Sequence, residues 1–166
     1  MKTIKLTHDL ETTVDDSDYE VLSENKWAAY RISGTSRTGK VHIYGYKAGR
    51  KFKGKRMWIH NIIMNPPIGT VVDHIDRNPL NNVRDNLRIC TIKDNSFNRG
   101  KRSNGLTSRF LGVHKKKKKN KFQASITFND KNFHLGYFDN ELEAAKAYNL
   151  KATELFGSFA SLNIIE

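Results

Sequence analysis

Apolar residues recur along this chain with two distinct spacings, and each predicts a different element. Between positions 121 and 127, Phe122, Ala124 and Ile126 alternate with Lys121, Gln123, Ser125 and Thr127. A two-residue period puts one set on a buried face of a strand and the other on an open face. Further on, Ala144, Ala145, Tyr148, Ala152 and Leu155 fall on one face of a helix over 141–155, and Gly157 suits its C-terminal stop. With flanking apolar runs at Phe110–Val113 and His134–Phe138, residues 110–166 predict a three-stranded antiparallel sheet packed on one helix.

The first two thirds of the chain follow a different pattern. Asp16 or Ser17 is placed to cap a short helix through Tyr19, Val21 and Leu22 that ends near Asn25. Trp27–Ile32 and Val41–Tyr46 predict two strands around the loop Ser33-Gly34-Thr35-Ser36. Residues 1–56 thus form a small mixed α/β region. Val71–Ile75 is apolar enough for a strand, and Pro79, Asn81 and Asn82 mark a loop after it. Leu87–Cys90 returns as a second strand. Thr91 lies three residues before Asp94, a capping-box-like start for a helix with Asp in place of Glu or Gln. Residues 57–99 therefore give strand, loop, strand and helix, and the basic stretch 100–109 is a linker to the last domain. The fold class is α+β.

Charge narrows the partner. The chain of 166 residues carries 29 Lys and Arg against 17 Asp and Glu, a net charge of +12. No acidic residue lies between Glu24 and Asp73, or between Asp94 and Asp130, while each tract holds ten basic ones. Two acid-free basic tracts predict two contacts with a polyanion, of which nucleic acid is the commonest. A membrane surface would want a basic amphipathic helix or a lipidation motif, and neither is found. There is no apolar signal core and no run long enough for a membrane span, so the expected location is intracellular. The single cysteine, Cys90, sits in an apolar run and is expected to be buried.

The chemistry-bearing residues cluster in 73–95. The strand–loop–strand–helix layout can bring Asp73 and His74 opposite Asn95. Adjacent strand residues point to opposite faces, so a bend or bulge is expected at Asp73 and His74. Such a trio suits phosphodiester hydrolysis. A histidine near neutral pH can take the proton of an attacking water. A divalent cation can neutralise the leaving 3′ oxygen, and Asp73 with Asn95 offers the hard oxygen donors that Mg²⁺ prefers. The side-chain amide of Asn86 can tie the loop together and hold His74. A calcium loop beginning at Asp76 fails, because Asn81 and Leu87 stand where Gly and Glu are required. A zinc site lacks partner Cys or clustered His.

The set Val72-Asp73-His74-Ile75-Asp76, Asn81-Asn82, Asn86-Leu87-Arg88 and Asn95-Ser96-Phe97-Asn98-Arg99 resembles the HNH homing endonucleases of phages and introns. That resemblance implies a ββα-metal unit with His74 as general base, Asp73 and Asn95 as metal ligands, and Asn86 as the bracing asparagine. Many members end the motif with a metal-binding histidine. Asn95 stands there in this chain, which matches the phage and intron subgroup and favours Mg²⁺ or Mn²⁺ over zinc. His60 matches a further recurrent histidine of the subgroup, with a phosphate contact, a supporting hydrogen bond and simple packing as its open roles.

A second resemblance covers the last domain. Phe110-Leu111-Gly112-Val113, Lys121 to Ile126, His134 to Asp139, Glu143 to Tyr148 and Phe156-Gly157 resemble the plant ethylene-response-factor (AP2/ERF) DNA-binding domain. It implies a polar sheet face lying in a major groove, with His114, Lys116, Lys121, Gln123, Ser125, Thr127, Asn132 and His134 as contacts. Arg99, Lys101, Arg102 and Arg109 in and around the linker add phosphate contacts. Relatives carry arginines and tryptophans on these strands, so base preference does not transfer.

The expectation is a metal-dependent DNA endonuclease that nicks double-stranded DNA as a monomer, with a dimer or sequential nicks needed for a double-strand break, and with no small-molecule cofactor. The resemblance implies a phage or mobile-element protein in a bacterial cytoplasm. The rivals are a DNA-binding regulator with an inactive nuclease unit and, third, a protein acting on RNA.

Overall fold

The computed structural model describes residues 1–29, 57–98, 100, 107–116 and 120–165. The expected strand Val41–Tyr46, the loop Ser33–Ser36, and Arg99, Lys101 and Arg102 lie outside the described residues, as do Lys117, Lys118 and Lys119. Contacts divide the chain into two compact units, Met1–Asn95 and Ser96–Glu166. The division falls ahead of the 100–109 stretch because Phe97 belongs to the second unit, where its ring stacks on Phe156 at 4.4 Å.

In the first unit, β1 (Lys2–Lys5) and β2 (Glu11–Val14) form an antiparallel hairpin that the sequence pattern did not announce. His8 and Asp9 turn it with positive φ. Helix α1 (Asp16–Ser23) follows. Its N-cap position is Asp15 rather than Asp16 or Ser17, and it stops before Asn25. The Trp27 indole N–H then donates to Leu22 O at 2.7 Å, covering one of the helix's last carbonyls. Trp27 makes only an isolated bridge and Ala28 and Ala29 extend no strand, against expectation; the Ala29 backbone N–H donates to Thr7 Oγ1 at 2.9 Å instead. Tyr30, Arg31 and Ile32 lie outside the described residues.

Helix α2 (Ile59–Met64) packs Ile59 and Ile63 into the core. It ends at Asn65 in the left-handed conformation, just before Pro66 and Pro67. Strands β3 (Val71–His74) and β5 (Leu87–Cys90) pair antiparallel. Between them, the expected loop contains a two-residue strand, β4 (Asn81–Asn82), which pairs parallel with β2. Helix α3 (Ile92–Phe97) starts as expected. Thr91 Oγ1 accepts from Asp94 N at 3.1 Å and donates to the Asp94 carboxylate at 2.7 Å. Ile4, Leu6, Val14, Leu22, Trp27, Ile59, Ile63, Val72 and Leu87 make the core.

The second unit is the expected three-stranded antiparallel sheet, β6 (Val113–Lys116), β7 (Lys121–Phe128) and β8 (Lys131–Phe138), under helix α4 (Glu141–Phe156). Asn140 caps α4 by accepting from Leu142 N at 2.8 Å. Ala144, Ala145, Tyr148 and Ala152 are buried as the spacing requires. Gly112 has φ +72, and a Cβ there would lie 2.0 Å from the Tyr148 ring, so no larger residue fits. The chain after α4 is tied back by Asn163, whose side chain accepts from Leu111 N at 2.6 Å and donates to Leu111 O at 3.1 Å. Among the described residues, no helix is long and apolar enough to cross a membrane.

Candidate active site

The candidate site lies within the first unit, where β3, the loop after it and β5 meet the start of α3. Cross-strand register runs one to one, with Val71 opposite Cys90, Asp73 opposite Arg88 and His74 opposite Leu87. The expected bulge is therefore not present. The strand instead ends at His74, and a turn begins at Ile75, with Arg77 at φ 64. Unbroken alternation sends the Asp73 and His74 side chains to different partners.

His74 Nε2 lies 3.1 Å from Asn82 Oδ1. The neighbouring groups decide which atom donates. The Thr12 hydroxyl donates to Leu80 O at 2.8 Å, so its oxygen is left to accept. Asn82 Nδ2 donates to that oxygen at 2.7 Å and to Pro79 O at 3.0 Å. The amide oxygen must then face His74, Nε2 must carry hydrogen, and Nδ1 holds the lone pair of the neutral ring. Thr12 and Asn82 are both buried, at 1% and 3% exposure, which protects the chain of bonds from water. Burial pushes the His74 pKa down, outweighing Asn82, Asp76 and Asp73, which favour the charged form. A lowered pKa favours the neutral ring, the form a base needs.

His60 sits edge-on to His74, with ring centroids 5.1 Å apart, and parallel to Trp58 at 6.5 Å. Burial first, and then the charge of His74, lowers its pKa to about 4. An uncharged His60 can pack or donate a ring N–H, to a neighbouring side chain or to a phosphate oxygen.

Asn86 ties the loop together through three side-chain bonds. Its Oδ1 accepts from Asp76 N at 3.0 Å, and its Nδ2 donates to Asp76 Oδ1 at 2.9 Å and to Asn81 O at 2.8 Å. Its backbone O accepts from Ile75 N at 2.9 Å, directly after His74. Burial acts to raise the Asp76 pKa, but hydrogen bonds from Asn78, Asn81 and Asn86 outweigh it and keep the carboxyl below its ordinary value.

Asp73 is buried at 6% exposure. Its Oδ2 accepts from Arg88 Nε at 2.9 Å and from a terminal guanidinium nitrogen at 2.7 Å. Cys90 is buried as expected. Burial first, and then the Asp73 carboxylate, raises its thiol pKa, while the Asn95 backbone N–H bonds the sulfur. Among the described residues the Asn95 side-chain amide has no hydrogen-bond partner, and no three His, Cys, Asp or Glu side chains gather for a metal. The donor chemistry is one carboxylate and one amide oxygen, which fits a hard divalent cation that keeps several waters or phosphate oxygens.

His114, Lys116, Thr127, Asn132 and His134 are exposed, and Lys121, Gln123 and Ser125 are half-buried. The register places them side by side: His114 opposite Gln123, Lys116 opposite Lys121, Ser125 opposite His134 and Thr127 opposite Asn132. Gln123 Nε2 lies 3.1 Å from His134 Nδ1, and Asn132 Nδ2 donates to Thr127 Oγ1 at 3.1 Å. Exposed Arg109 lies over the Phe110 ring at 4.8 Å.

Four residues escaped the sequence pattern. Thr12 and Asn82 are 70 positions apart, and nothing local links them. Arg88 was legible as the cross-strand neighbour of Asp73 once both strands were aligned. Tyr137 is turned outward by a bulge that leaves Leu135 without a partner, since Gly136 pairs with Ala124 and His134 with Ser125. Its ring meets His134 at 4.8 Å.

Residues 65–97 match the family model described as HNH endonuclease. The chain is 41% identical over 152 residues to the Uncharacterized HNH endonuclease L560 of Acanthamoeba polyphaga mimivirus, covering 89% of this chain and 72% of that protein. It is 35% identical over 94 residues to Protein 3.8 of Escherichia phage T7, covering 57% of this chain and 76% of that protein. No solved structure matches it.

Proposed function

The chain belongs to the HNH endonucleases and is a DNA endonuclease; from that premise we propose that it hydrolyses DNA with His74 as general base and Asp73 and Asn95 as holders of a divalent cation. The observation that carries this reading is the hydrogen-bond chain from Leu80 through Thr12 and Asn82 to His74. It fixes the ring and leaves Nδ1 as the nitrogen that receives the water proton. Asn86, braced on Asp76 and Asn81, holds the turn that follows His74. HNH nucleases generally use a divalent metal, and Mg²⁺ or Mn²⁺ on Asp73 and Asn95 would neutralise charge at the leaving 3′ oxygen.

One base per chain makes the product a nick, and a double-strand break requires a dimer or successive nicks. The open sheet face of the second unit, AP2/ERF-like in its motifs, serves as the targeting surface, with Gln123 and His134 at base edges and the lysines at phosphates. A homing-type role fits this pairing of a cutting unit with a DNA reader. The test is incubation of supercoiled plasmid with Mg²⁺, with chelator, and with Asp73→Asn or His74→Ala protein. Nicked circles form only with wild-type protein and metal, while duplex binding persists in both variants. Equal nicking by His74→Ala protein removes the base assignment.

A further inference from the structure

Arg88 has no part in the chemistry above, yet it is the partner of the buried carboxylate that the chemistry needs. It stands directly across from Asp73 in the β3–β5 register. Two of its nitrogens converge on the single oxygen Oδ2, and its side chain is itself only 16% exposed. A carboxylate at 7% side-chain exposure needs a counter-charge, and without a metal the guanidinium supplies one.

We propose that Arg88 gates metal loading: its positive charge beside Asp73 keeps divalent cations weakly bound until a DNA phosphate brings compensating negative charge to the site. The proposal rests on Asp73 being a metal ligand. A cation joining a carboxylate already paired with a guanidinium meets like-charge repulsion, and low solvent exposure leaves that repulsion poorly screened. An approaching phosphate offsets it, since guanidinium and cation both attract phosphate oxygens. Metal binding and DNA binding then favour one another reciprocally.

The probe is Mn²⁺, followed by loss of the free-ion electron paramagnetic resonance signal. DNA-free wild-type protein and Arg88→Lys protein, which keeps the charge, bind weakly. Arg88→Gln and Arg88→Met proteins, checked for folding by circular dichroism, bind at least about tenfold more tightly. Adding Asp73→Asn to Arg88→Gln abolishes the gain. A gain that survives Asp73→Asn places the cation elsewhere and overturns the metal assignment with the gate. Neutral variants that bind no more tightly than wild type overturn the gate alone. A second measurement needs no change at Arg88. His74→Ala protein with duplex DNA, after subtraction of Mn²⁺ held by DNA alone, binds Mn²⁺ at least about tenfold more tightly than the same protein without DNA. Equal affinity contradicts the gate.

Discussion

The two units use polar residues in opposite ways. In Met1–Asn95, the side chains around His74 each have a fixed partner: buried Asn82 against buried Thr12, buried Asp73 against half-buried Arg88, and half-buried Asn86 against Asp76 at the surface. In Ser96–Glu166, the polar side chains of the sheet stand open in cross-strand pairs, as Gln123 with His134 and Thr127 with Asn132. Burial raises the strength of a hydrogen bond and the cost of leaving one unmade, so the first arrangement holds one geometry. The second leaves donors and acceptors able to exchange partners with a ligand. Reaction chemistry needs a proton acceptor locked in place, and recognition needs a surface that can re-pair.

Several substitutions break or sharpen this contrast. The largest effect is expected at Gly112→Ala. A methyl there meets the Tyr148 ring at 2.0 Å and forces a side chain into φ +72. Overpacking and left-handed strain together cost about 4 kcal/mol. Thermal unfolding should show a large loss, and duplex affinity should fall with it. Unchanged melting would mean that the second unit's core is not packed as described.

Next comes acid sensitivity from His60. Its folded pKa, about 4, lies below its ordinary value of 6.5. Protons therefore bind the unfolded chain more readily. The contribution is fully present above pH 6.5 and is lost as pH falls toward 4, amounting to about 3 kcal/mol. Urea melts across that window should show the decline in wild-type protein and a flatter profile in His60→Phe. Parallel profiles would refute the burial of an uncharged ring.

Asn82→Leu removes the acceptor that sets the His74 tautomer. Cleavage at saturating protein should slow by about 100-fold with duplex affinity retained. Asn82→Asp, which keeps an acceptor, should recover part of the rate. The smallest effect belongs to the open face. Gln123→Ala should weaken duplex binding by about tenfold at most and leave the rate of the bound complex unchanged. A rate loss there with no change in binding would reverse the division of labour.

What was legible in the chain follows the same line. Strand β7 and helix α4 were readable because one face of each is buried, and burial writes a period into the sequence, whereas β3 and β5 were read from short apolar runs. The capping pair Thr91 and Asp94 is local and was read directly. The β1–β2 hairpin was not, since only Ile4 of β1 is buried and β2 hides Thr12 beside Val14. The β4 strand was read as loop because Asn81 and Asn82 carry turn chemistry, and only pairing with β2 extends them. The catalytic candidates Asp73, His74, Asn86 and Asn95 stood out by type and spacing. Their supports did not: the Thr12–Asn82 bond joins residues that only the tertiary fold brings together, and the Asp73–Arg88 pair emerges only when the register of β3 and β5 is known. Tyr137 was missed for a related reason. The alternation in β8 assigns it to the core side, and the bulge at Leu135 and Gly136 reverses that while seating Phe138 inward.

The claim on which the rest stands is that the Nδ1 nitrogen of His74 takes the proton from water. Single-turnover cleavage of one duplex at saturating protein, with wild type and His74→Ala compared with and without added imidazole, tests it most directly. The expected result is a rate loss of about 1000-fold in the variant at unchanged DNA affinity, with partial recovery by imidazole. A variant that cuts at the wild-type rate contradicts it.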